Sequence, residues 1–158
     1  MARNETYIDA SPRDVFDVLA DARTYAEWVV GSHEIRAADR GWPAPGTVFD
    51  HTVGRPPVRI KDETAVVAAT PPVMLELRAR ARPLPAARVT LHLQPERDGT
   101  RVTMIEDPAS RLLALLAVPL GHWSIHLRNR ESLRRLKAIA EGRAARPAGE
   151  LAERSSVS

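Results

Sequence analysis

Val73-Met74-Leu75-Glu76-Leu77-Arg78-Ala79-Arg80-Ala81-Arg82 alternates almost strictly, with the arginines on one side and the aliphatic residues on the other. A period of two marks a strand with one dry and one wet face. The same alternation continues on both sides of it. After Pro83-Leu84-Pro85, Val89, Leu91 and Leu93 resume the dry face, and an Asp98-Gly99 turn leads into Val102, Met104 and Glu106. Upstream, Thr47 to Val53 is rich in β-formers and stops at Gly54-Arg55-Pro56-Pro57. Residues 59 to 69 resume the pattern and stop at Thr70-Pro71-Pro72. Such short connections leave no room for crossover helices, so the sheet is expected to be an antiparallel meander.

Helical signals flank the meander. Residues 4 to 9 form a first short alternation, and Ser11-Pro12-Arg13-Asp14 reads as an N-cap, a Pro at the first helical position and an acidic third position. Val15, Phe16, Val18 and Leu19 give that helix a buried face. A second short helix is expected through Thr24, Tyr25 and Trp28, and from about residue 33 the period turns to two. Asp107-Pro108 ends the sheet, and Ala109 to about Glu141 is helical in pattern, with a break expected at Pro119-Leu120-Gly121. One stripe of this helix collects His122, Ile125, His126, Asn129, Leu133, Leu136 and Ala140. The expected fold is therefore α+β: six to seven antiparallel strands wrapped around a long C-terminal helix, enclosing an apolar cavity, with two short helices after the first strand. Residues 1–142 form the domain, and 143–158, without apolar periodicity, are expected to be a disordered tail.

Composition narrows the function. A chain of 158 residues can build one core that buries roughly 70% of its unfolded surface. With no cysteine, disulfides, thiolate metal sites and thiol nucleophiles are excluded. The polar start, Met1-Ala2-Arg3-Asn4-Glu5, has no apolar leader region, so a cytoplasmic location is expected. Leu112 to Leu120, the longest apolar run, is about half of the roughly 20 residues that span a bilayer, so no transmembrane segment is expected. The pI near 9.9 is high, but the net charge is only +3 and the arginines are interleaved with acids. Aromatic residues make up 4% and offer few stacking platforms, so no nucleic-acid partner is expected.

The order of elements resembles the START/Bet v 1-like superfamily, also called SRPBCC, and within it the polyketide cyclase/dehydrase-like proteins. The likeness is carried by Ala10-Ser11-Pro12-Arg13-Asp14-Val15-Phe16, Tyr25-Ala26-Glu27-Trp28, Gly46-Thr47-Val48-Phe49, Gly99-Thr100-Arg101-Val102-Thr103 and Asn129 to Leu136. It spans about residues 2 to 142. The resemblance implies a helix-grip fold with a ligand cavity. It does not choose a reaction, because lipid carriers, hormone receptors, cyclases and hydroxylase domains share that fold.

Candidate residues follow from parity. Trp28, Phe49, Leu77, Leu91, Met104 and Trp123 are expected to wall the cavity. If Phe49 and Val53 face inward, His51 does too, either hydrogen-bonded within the sheet or touching a ligand. His92 falls on the outer face. Glu106 shares the parity of Val102 and Met104; a buried carboxyl with no cationic partner could act as acid or base, whereas a helix arginine would make it a salt bridge and a frayed strand end would leave it in solvent. His122 and His126, four apart, could share a helical face as metal ligands, but the spacing alone is weak and no metal is expected. Asn129 on the same stripe can donate and accept within a pocket.

Three functions follow. The first is binding of a hydrophobic small molecule (a lipid, an isoprenoid or an aromatic polyketide) oriented by His51, Glu106, His126 or Asn129. The second is a cyclase or dehydratase in which Glu106, His51 or His126 moves a proton. The third is a protein-interaction module or homodimer formed through residues 112–120. No Gly-rich phosphate loop or nucleophile elbow is visible, so no nucleotide-dependent activity and no cofactor are expected.

Overall fold

A computed structural model describes residues 1–55, 58–81, 84–108 and 119–146; at 53–55, 58–60, 81, 84–85, 108 and 119–124 only the backbone is described. Strand β1 (Ala2–Ile8) precedes α1 (Pro12–Leu19), a 3₁₀ turn (Ala22–Thr24) and α2 (Tyr25–Trp28). Strands β2 (Ser32–Ala38), β3 (Val48–Arg55), β4 (Val58–Thr70), β5 (Met74–Ala81), β6 (Leu84–Glu96) and β7 (Gly99–Pro108) follow, and α3 (Pro119–Ala144) ends the order. The seven strands make one antiparallel sheet, ordered β1-β7-β6-β5-β4-β3-β2. Helix α3 lies across β1, α1 and α2. This is the helix-grip arrangement expected from the sequence.

Local chemistry explains each boundary near the site. Ser11 caps α1 by accepting from the Asp14 N–H at 3.1 Å, and its hydroxyl donates back to the Asp14 carboxylate at 2.6 Å. With Pro12 at the first helical position, the chain turns sharply from β1 and α1 buries Val15, Phe16, Val18 and Leu19. The β6–β7 hairpin differs by one residue from the expected turn. Arg97 and Asp98 form the loop, Arg97 taking the left-handed φ of 52°, while Gly99 already pairs with Glu96 as the first residue of β7. Glycine is required there for proximity: a Cβ on Gly99 would stand 2.3 Å from the Ile8 carbonyl oxygen.

Two further boundaries move. β6 starts at Leu84, earlier than the alternation around Val89 suggested, because its backbone pairs with Ala81 of β5. α3 runs to Ala144, past Gly142. The expected helical segment 109–118, with most of the apolar run 112–120, and the tail from residue 147 lie outside the described residues.

Register then aligns the core. Val66 faces Leu77, Leu77 faces Val89, Val89 faces Glu106 and Glu106 faces Ala2. The next row runs from Leu75 through Leu91 and Met104 to Asn4. Partners in antiparallel strands share a face, so both rows look toward α3. Leu133, Leu136 and Ala140 of α3 are completely or almost completely buried against this face. Each buried leucine is worth about 1.5–3 kcal/mol relative to exposure. Polar ties fix the helix along β1: Lys137 donates to the Tyr7 carbonyl at 2.8 Å, and the Glu141 carboxylate accepts from the Asp9 N–H at 2.8 Å. No helix among the described residues is long and apolar enough to cross a membrane.

Candidate functional site

Between the sheet and the start of the buried part of α3 lies a cavity of about 110 Å³. One water needs roughly 10–15 Å³ on the same measure, so the space holds more than a single solvent molecule. Its apolar wall comes from Trp28 at the end of α2 and Val29 just after it, Leu77 and Ala79 on β5, Val89 on β6 and Met104 on β7. The polar groups gather in two places.

The first is built around His51 on β3. The pleat turns Phe49 and His51 to the same face, and both are buried. His51 Nδ1 lies 3.1 Å from the Ser32 hydroxyl and Nε2 lies 3.1 Å from the Thr64 hydroxyl. A neutral imidazole has one donor and one acceptor, and hydroxyls can play either part, so both ring nitrogens are satisfied in either tautomer. Burial pushes the His51 pKa below its usual value and Arg36 adds to this, while the carboxylates of Asp62 and Asp50 work in the other direction. At neutral pH the ring is uncharged. Tyr25 packs beside it, with ring centroids 5.5 Å apart and an interplanar angle of 68°. Burial pushes the Tyr25 phenol up to about 12, the neighbouring Thr64 hydroxyl and the charge of Arg128 pulling the other way. Tyr25 therefore stays a neutral phenol at the cavity wall.

The second group stands opposite, where β7 meets α3. Arg128 Nη2 donates to Glu106 Oε1 at 2.6 Å and Oε2 at 2.5 Å, and Asn129 Nδ2 donates to Oε2 at 2.8 Å. The Glu106 and Asn129 side chains are buried, whereas Arg128 keeps 44% of its side-chain surface exposed. The cation snorkels: its stem lies along the cavity and its head is partly wet. Ser132, one helical turn on, accepts from the Val30 N–H at 3.1 Å and closes the rim beside Gly31.

Of the residues expected from the sequence, Trp28, His51, Leu77, Met104, Glu106 and Asn129 meet around this one cavity. Phe49 and Leu91 do not line it. Both lie almost fully buried in the core, Phe49 held by Tyr25 at 4.5 Å and Trp42 at 4.7 Å between ring centroids. His126 is exposed, its Nδ1 3.2 Å from the Asn4 side-chain oxygen over the β1 edge. It sits at the flank of the helical stripe, about 60° around the axis from Asn129, and that rotation turns it off the cavity. The side chains of His122 and Trp123 lie outside the described residues, and among those described no group of three acidic or histidine side chains could hold a metal. Glu106 takes the salt-bridged alternative, not that of an unpartnered carboxyl. His92 is exposed, as its parity requires.

Sequence reasoning missed Tyr25, Ser32, Thr64 and Arg128 as site residues. Thr64 shares parity with buried Asp62 and Val66, which was a usable signal. Arg128 offered none, because it precedes Asn129 on the exposed side of the stripe.

The family model described as polyketide cyclase / dehydrase and lipid transport matches residues 2–141. Among curated proteins, none matches the sequence. Protein NE0264 from Nitrosomonas europaea is similar in structure, with 16% identity, 92% of this chain and 96% of that chain covered, and a TM-score of 0.71. Protein TTHA0849 from Thermus thermophilus has 16% identity, 91% and 99% coverage and a TM-score of 0.70. The di-domain ARO/CYC StfQ from the steffimycin biosynthetic pathway has 16% identity and a TM-score of 0.67; the match covers 92% of this chain and 51% of StfQ. At these identities the likeness to solved structures establishes the fold alone.

Proposed function

Since this chain belongs to the polyketide cyclase / dehydrase and lipid transport family, we propose that it binds a hydrophobic or aromatic small molecule between the sheet and α3. The observation that carries this reading is the cavity itself: an apolar wall of Trp28, Leu77, Val89 and Met104 facing His51, Glu106 and Asn129. Apolar walls supply affinity, and a few fixed polar groups supply orientation. Native mass spectrometry of purified protein, with a thermal-shift screen of apolar ligands, tests it. A retained or stabilising ligand that is lost when Val89→Phe fills the cavity supports the reading; no ligand and no stabilisation would sink it.

A second reading, proton transfer on a bound polyketide-like chain, draws on one observation. His51 is neutral at the cavity wall and joins two hydroxyls, so it can take a proton at one nitrogen while releasing one at the other. The other acid–base candidates favour binding: Glu106 is engaged by Arg128 and Asn129, and His126 is turned away. Replacing His51 by Gln separates the two readings, since catalysis would be lost while ligand retention stays.

A further inference from the structure

The charges around the cavity cancel, and this says what kind of ligand it takes. Among the described residues, two cations reach the lining, Arg80 and Arg128. Arg80 pairs with Glu63 at 2.8 Å, and Arg128 holds both oxygens of Glu106. Each of these positive charges is thus already matched by one carboxylate.

Resting on the binding reading above, we propose that the ligand is an uncharged amphiphile, an apolar or aromatic skeleton bearing a hydroxyl or carbonyl group, and that carboxylate-bearing ligands are rejected. A carboxylate entering this space would stand beside Glu106 and compete with it for Arg128 and Asn129, so that two anions would share one cation already engaged with both Glu106 oxygens. Like charges brought together in a desolvated site repel, which disfavours the bound carboxylate. A hydroxyl meets no such penalty, because it can donate to Glu106 or Asn129 Oδ1 and accept from the hydroxyls of Tyr25 or Ser132. A carbonyl oxygen can accept from those same hydroxyls.

The test uses two probes with one carbon skeleton, 2-naphthalenemethanol and 2-naphthoate, titrated into the full chain at pH 7 and followed by isothermal calorimetry. The alcohol is expected to bind at least about tenfold more tightly than the carboxylate. Glu106→Gln removes the competing anion and frees Arg128, so it should raise naphthoate affinity and narrow the ratio to within about threefold. Equal or tighter binding of naphthoate by the wild-type protein overturns the charge preference and leaves the binding reading standing. Failure of both probes, together with an empty ligand screen, overturns the binding reading and this preference with it. The wild-type comparison decides even if the Gln variant does not fold.

Discussion

Arg128 Nη2 lies 2.6 and 2.5 Å from the two carboxylate oxygens of Glu106, joining the last strand to the C-terminal helix across 22 residues of chain. The pair is asymmetric. The Glu106 side chain is 10% exposed and the Arg128 side chain 44% exposed, so the carboxylate depends on the arginine far more than the reverse.

That asymmetry predicts unequal costs. Arg128→Leu strands a buried carboxylate with Asn129 as its remaining partner and should destabilise by about 1–3 kcal/mol, the partial exposure of the arginine keeping it below a fully buried pair. Glu106→Gln leaves a cation that can turn to water and should cost less. Urea unfolding of both variants checks the order, and a costlier Glu106→Gln would contradict it.

His51 makes stability pH-dependent with a definite sign. Its folded pKa is lowered, mainly by burial, so the unfolded state takes the proton first as the pH falls. Its contribution is complete above the unfolded value of about 6.5 and is lost as pH drops below that, through the folded value. The groups facing it are Ser32, Thr64, Tyr25, Asp62, Asp50 and Arg36. His51→Gln should flatten the acid limb of the stability profile below pH 6.5, measured by urea midpoints across pH; an unchanged slope in the variant rules the assignment out.

Gly99 predicts a steric effect. A Cβ there would meet the Ile8 carbonyl at 2.3 Å and the Tyr7 hydroxyl at 2.7 Å. The side chain can swing away, but the backbone oxygen is held in the β1–β7 ladder. Gly99→Ala should therefore cost about 1–3 kcal/mol, read as a lower thermal midpoint.

Leu136 is completely buried on the face of α3 that covers the sheet. Leu136→Ala should cost about 2–5 kcal/mol, shifting the urea midpoint with an unchanged m-value. Leu127→Ala on the same helix, where the side chain is 49% exposed, serves as the near-neutral control.

The sheet was legible from sequence because a period of two is unforgiving: Leu75, Leu77, Leu91 and Leu93 cannot face the core without placing Arg78 and His92 outside. The helical stripe was less decisive. Its centre, from Asn129 to Ala140, faces the core, but a residue at its flank is assigned by whichever strand lies beneath it, and β1 draws His126 outward through Asn4. The ion pair was legible on one side only. Parity placed Glu106 inward, while the reach of Arg128 depends on side-chain length and helix position, which periodicity does not encode. Tyr25, Ser32 and Thr64 were hidden for a similar reason: their shared link to His51 comes from α2, β2 and β4 meeting at one end of the sheet.

The central claim is that this cavity holds the ligand. A titration of isotope-labelled protein with 2-naphthalenemethanol, followed by nuclear magnetic resonance, tests it most directly. Saturating shifts should cluster at Trp28, Gly31, Val89, Met104 and Asn129 and vanish in Val89→Phe. Shifts confined to the outer face of α3 around Leu127 and Arg130, or none at millimolar probe, would contradict it.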